Sequence, residues 1–160
     1  MSKVTTNEGF MDALASLSLQ QQRLVGASFI KNVLDLTKDE HIIHAQAIAA
    51  TSDAKAEDLL DAYHSVHTSY VKTNPRSGLN ALDWAKQAEH FVAEACMTCL
   101  APAYPEASPH QLAQRVSMYC LMARTCSSIN HDGNYPTFET SEKVMKMEVD
   151  GQYRIVNEFL

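Results

Sequence analysis

Apolar residues recur along this chain at three- and four-residue intervals almost throughout. That spacing lays one stripe along a helix turning about 100° per residue. Helices are predicted over 8–16, 19–36, 38–50, 54–72, 81–100 and 109–127. The start signals agree. Thr37 with Glu40 forms a capping box, in which the hydroxyl caps the backbone and the carboxylate reaches back. Ser108 with Gln111 forms a second, reinforced by Pro109 at the first helical position. Asn80 and Asp83 open another helix with an acid where the helix dipole favours one. The stretches NPRSG at 74–78 and APAYPEASP at 101–109 are breaks.

Two helices carry more apolar surface than one stripe. In 81–100, Ala81, Ala85, Ala88, Val92, Ala95, Cys96 and Cys99 share a face of small residues, against which a neighbouring helix can come close. Trp84 and Phe91 stand on a different side. In 109–127 the stripe is Leu112, Val116, Tyr119, Ala123 and Cys126, while Met118 and Leu121 lie on the far side of a nearly all-apolar SMYCLMA segment. Such helices are central in a bundle or carry a contact surface.

The tail after Ser128 changes character. NHDGNYPTFETS is rich in turn residues. In 143–160, Asp150-Gly151 reads as a two-residue turn between segments rich in Val, Ile and Tyr, which makes a short β-hairpin. The same residues place Met145, Val149, Tyr153, Val156 and Leu160 on one helical face. An Asp-Gly pair in mid-helix is unfavourable, so the hairpin is the first choice and the helix stays open. The expected fold is an all-α, single-domain bundle of about five to six helices. Residues 1–128 form it, and 129–160 pack on it as a loop with a hairpin or helix.

Composition narrows the function. A chain of 160 residues with 46% hydrophobic content suits one domain. A formal net charge of -6 opposes nucleic-acid binding and anionic membranes, both of which need a basic face. No export signal and no apolar run of membrane-spanning length is evident, so the expected location is cytoplasmic, with the four cysteines reduced.

Two His-x-x-His pairs, His41/His44 and His64/His67, invite a metal reading with Zn or Fe. If 38–50 and 54–72 form a hairpin turning near Ser52, His41 lies level with His64, and His44 with Asp61. The helical wheel opposes convergence. His67 flanks the stripe Leu59, Tyr63, Val66, Tyr70, while His64 lies further out and Asp61 opposite. The inward Glu residues of a di-iron bundle are absent. The other reading is partly exposed histidines with no cofactor. His90 shares a polar side with Asp83, Lys86 and Glu94 and reads as a surface residue, and His110 belongs to a helix first turn.

Cys96-x-x-Cys99 lies inside a helix rather than at the tight turn of a zinc site, and Cys120 and Cys126 fall at other heights on the next helix. Structural buried thiols are expected. Phosphate loops, a G-x-S-x-G elbow, H-E-x-x-H and EF-hand loops are absent.

The segments DEHIIHAQAIA, AYHSVHTSY and ALDWAKQAEHFVAEA, over about residues 38–100, resemble the Ala/His-rich helix pairs of bacterial immunity proteins. Such proteins neutralise a partner toxin, so the resemblance implies a binding protein and assigns no particular residues. The leading expectation is therefore a non-catalytic helical protein of immunity, adaptor or regulator type. It would contact another protein, or a second copy of itself, through Trp84, Phe91, Met118 and Leu121. The alternatives are a metal- or cofactor-binding bundle using the histidine pairs, and an enzyme with an acid–base site at His131 and Asp132.

Overall fold

The structure, a computed structural model, describes residues 3–74, 83–101, 111–129 and 138–160. Among the described residues seven α-helices follow one another: α1 (Asn7–Ala15), α2 (Leu19–Asn32), α3 (Glu40–Ala49), α4 (Ala56–Lys72), α5 (Trp84–Leu100), α6 (Leu112–Ser127) and α7 (Phe138–Phe159). A single 3-10 turn, Leu34–Leu36, joins α2 to α3. The all-α expectation holds, with seven helices in place of five to six. No strand occurs among the described residues, and no helix there is long and apolar enough to cross a membrane.

The core is centred on α2, α5 and α6, which pack on one another. Val25, Phe29 and Ile30 of α2, Val92, Cys96 and Cys99 of α5, and Val116 and Cys120 of α6 are fully buried or nearly so. The small-residue face of α5 does what its spacing predicts at Ala88, Val92, Ala95, Cys96 and Cys99, all buried, while Ala85 is exposed. At Gly26 the backbone of α2 comes so near that a Cβ would lie 2.7 Å from the Cys99 Sγ and 3.4 Å from Val116. Only glycine lets the three helices meet at this distance.

Polar side chains fix the helix ends. Ser18 and Gln21 make a capping box at α2, with both reciprocal bonds present. Arg23, nearly buried on α2, donates to the Ala49 and Thr51 carbonyls, so a cation sits where the dipole of α3 ends. The box expected between Thr37 and Glu40 does not form. Asp39 caps α3 instead, accepting from the His41 N–H at 2.9 Å. Thr37 is turned toward α5, where its hydroxyl donates to Glu89 at 2.6 Å. Asp83 caps α5 by accepting from the Lys86 N–H. Asn80 and the Ser108–Gln111 cap lie wholly or partly outside the described residues.

The β-hairpin is corrected. Residues 143–159 belong to α7, and Asp150-Gly151 is in mid-helix. Asp150 pairs with Lys146 one turn back at 2.7 Å, and Gln152 donates to Glu148 one turn back at 3.3 Å. Glu148, Gly151, Gln152 and Val156 form the buried side. Gly151 faces the Asn32 amide of α2, which a Cβ would meet at 3.4 Å. Docking on α1, α2 and α6 offsets the roughly 1 kcal/mol that a mid-helix glycine costs.

Gly151→Ala discriminates the two conformations. In a helix with room for a methyl group, the change leaves stability unchanged or raises it by up to about 1 kcal/mol in urea unfolding. A type I′ turn, which requires a positive φ at this position, would be destabilised by the same substitution.

Candidate functional site

The α3–α4 hairpin brings sequence-selected residues together. Its register is set where the Ser69 hydroxyl donates to the Asp39 carboxylate at 2.6 Å. Further along, His44, Ile48, Asp58, Asp61, Ala62 and Ser65 line a cleft of about 300 Å3 between the helices. His44 and Asp61 therefore share one cleft, as their matching heights predict. His41 is exposed, and its Nδ1 lies 3.0 Å from Asp39. The Asp39 carboxyl is held below its ordinary value: burial pushes it up, but the Ser69 and His41 hydrogen bonds together outweigh that.

The second histidine pair turns elsewhere. His64 and His67 are exposed. His64 lies edge-on to Tyr63 at 5.8 Å, and His67 stacks near Tyr70 at 6.2 Å. Tyr70 belongs to the flank of α4 that meets α5, whereas the cleft lies on the flank that meets α3. Among the described residues no three His, Cys, Asp or Glu side chains gather where they could hold a metal ion.

His90 is a correction. It is 6% exposed rather than a surface residue. Its ring stacks on Tyr70 with centroids 4.3 Å apart, and its Nδ1 lies 3.1 Å from the Tyr70 carbonyl and 3.2 Å from the Thr73 hydroxyl. Phe91 stands edge-on to it at 6.2 Å. Burial lowers its affinity for a proton below the ordinary imidazole range; the charge of Glu94 and the bond to Tyr70 act against this more weakly. The available signal was on α5 itself. A helix with Trp84 and Phe91 outside its small-residue stripe is covered on several sides, which leaves little of it polar and exposed.

Cys96, Cys99 and Cys120 are all buried. Burial, then the charge of Glu148, pushes the Cys120 thiol up. Burial pushes Cys99 up to about 12 and Cys96 well above the usual range. Such groups remain neutral thiols at neutral pH. Cys126 is half-buried.

Of the expected contact residues, Met118 is 47% exposed, while Trp84, Phe91 and Leu121 are half-buried. Phe91 packs against the core. Sequence reasoning did not offer as contacts four further exposed methionines: Met11 on α1, Met122 next to Met118 on α6, and Met145 and Met147 on α7. The α7 pair was obscured by the hairpin reading. His131 and Asp132 lie outside the described residues.

The sign of the His90 effect is fixed by its burial. A base with a lowered folded pKa supports the fold fully above its ordinary value of 6.5, and the support is lost as pH falls from there toward the folded value. His90→Phe keeps a ring on Tyr70 but cannot titrate. Between about pH 7 and about pH 5, its unfolding free energy should fall less steeply than that of the wild type. Equal slopes would place His90 in water.

No protein-family model, curated protein or solved structure matches the chain.

Proposed function

We propose that this chain acts by binding another protein through the outer faces of α6 and α7, as an immunity-, adaptor- or regulator-type protein rather than a catalyst. One observation carries this reading: among the described residues, and apart from Phe159 at the end of α7, the exposed large apolar side chains of these two helices are methionines. Met118, Met122, Met145 and Met147 are 47%, 38%, 40% and 66% exposed. Met118 and Met122 are one turn apart and so share a face of α6. Unbranched thioethers adapt their shape to a partner and are over-used at binding surfaces. The half-buried Leu121 lies on the same helix. A second copy of the chain is the alternative occupant. A net charge of -6 favours a partner with basic character.

The metal reading has narrower support. His44 shares its cleft with Asp61, and the Nδ1 of His41 is held by a carboxylate, as metal-bound imidazoles usually are. One chain then offers an ion at the cleft too few ligands for a closed tetrahedral site. Elemental analysis of untagged protein that finds roughly one Zn or Fe per chain, lost in His44→Ala, would favour it.

Met118→Lys with Met122→Lys tests the binding reading. Both side chains are exposed, so stability should change by less than about 0.5 kcal/mol. Capture of partner proteins by the immobilised chain, or self-association seen by light scattering, should weaken by about tenfold or more. Unchanged capture and unchanged mass in the double variant would rule out this face.

A further inference from the structure

The docking of α7 is unusual in its chemistry. Val156 is its one fully buried apolar residue among those described, with Tyr153 and Ile155 partly buried beside it. The rest of the docked side is polar. The Gln152 amide oxygen accepts from the Ser117 hydroxyl at 2.7 Å, and its nitrogen donates to the Ser117 carbonyl at 3.1 Å. Glu148 accepts from the Asn32 amide at 3.2 Å and from the Gln152 amide at 3.3 Å.

Glu148 is the carboxylate that this arrangement leaves short of charge. Its side chain is 1% exposed. The cation that faces it is Arg124, whose two terminal nitrogens are each 2.9 Å from an oxygen of Asp35. One of those nitrogens also donates to the Asn32 carbonyl at 2.8 Å. Only the Arg124 Nε is turned toward Glu148, at 3.5 Å. One guanidinium thus serves two carboxylates, and its bidentate face belongs to the exposed one. The remaining titratable neighbour, Cys120 of α6, stays a neutral thiol.

We propose that α7 is a proton-gated latch, docked more tightly across α2 and α6 when Glu148 is protonated and loosened when it is ionised. A protonated Glu148 removes an under-compensated charge from the interior and still accepts from Asn32 or Gln152 through its carbonyl oxygen. An ionised Glu148 keeps the charge and its desolvation cost. Burial does raise the proton affinity of Glu148, against the opposing pull of Arg124, Gln152 and Asn32. The contribution to stability is therefore present near the ordinary carboxyl value of 4.5 and is lost as pH rises through the folded value. His90 acts in the opposite sense on α4 and α5, while Asp35 and Asp39 withdraw support only below about 3.8. The latch is thus distinguished by its place in the chain. When α7 loosens it releases Asn32 and Ser117.

Peptide-resolved hydrogen exchange on the intact chain, corrected for the intrinsic pH dependence of exchange, tests this. In the wild type, exchange in peptides covering 141–160 should accelerate from about pH 5 to about pH 7.5, at most about tenfold per pH unit for one linked proton. In Glu148→Gln, these peptides should exchange several-fold more slowly than the wild type at the upper pH and with a flat profile. The same pH slope in wild type and variant would overturn the latch. If Glu148→Gln fails to fold, the wild-type series decides alone: acceleration confined to α7 supports the proposal, and parallel change in α2, α5 and α6 overturns it.

Discussion

The approach of α2 to α5 and α6 at Gly26 governs the rest of the bundle. A Cβ there would stand 2.7 Å from the Cys99 Sγ, well inside van der Waals contact, so the spacing of three helices is set by one absent methyl group. Small residues of the two partner helices, Ala95, Cys96 and Cys99 on α5 with Ala113 and Ala123 on α6, are buried. Bulk enters at Phe29, Ile30 and Leu100, which are among the largest fully buried side chains. A core closed by small residues leaves methionines on α6 facing outward, and the proposed binding face follows from that geometry.

Polar groups complete the same plan. Arg23 secures the end of α3, Thr37 joins the α3 approach to Glu89 of α5, and Asp39 joins α3 to Ser69 of α4. Gln22 accepts from the Ala113 N–H at the start of α6, and Gln46 donates to the Ala27 carbonyl of α2. Among the described residues no buried side-chain nitrogen or oxygen lacks a hydrogen bond. Buried polar groups that are fully partnered specify a unique arrangement. Glu148 is the exception in charge rather than in hydrogen bonding.

Much of this was legible in the sequence. The 3.6-residue period located the helices, and the small-residue face of α5 foretold a close neighbour. The heights of His44 and Asp61 about a turn near Ser52 placed them together. What failed depended on partners distant in the chain. Asp150-Gly151 carries a turn signature locally, and nothing local reveals that Asn32 lies against Gly151 or that Ser117 holds Gln152. Thr37 and Glu40 satisfy a capping pattern, yet Glu89, 52 residues away, takes the Thr37 hydroxyl. His90 looks solvated on its own wheel and is covered by Tyr70 from another helix. Each error replaces a local rule with a tertiary contact.

A double-mutant cycle at the helix contact tests the account most directly. Gly26→Ala alone should destabilise the fold by about 1–3 kcal/mol through overpacking. In a Cys99→Ala background, where the sulfur is gone and the new methyl group takes its space, the same change should cost close to nothing. The coupling between the two sites should then exceed about 1 kcal/mol. Additive effects, within about 0.5 kcal/mol, would show that the Gly26–Cys99 approach does not set the spacing of the bundle.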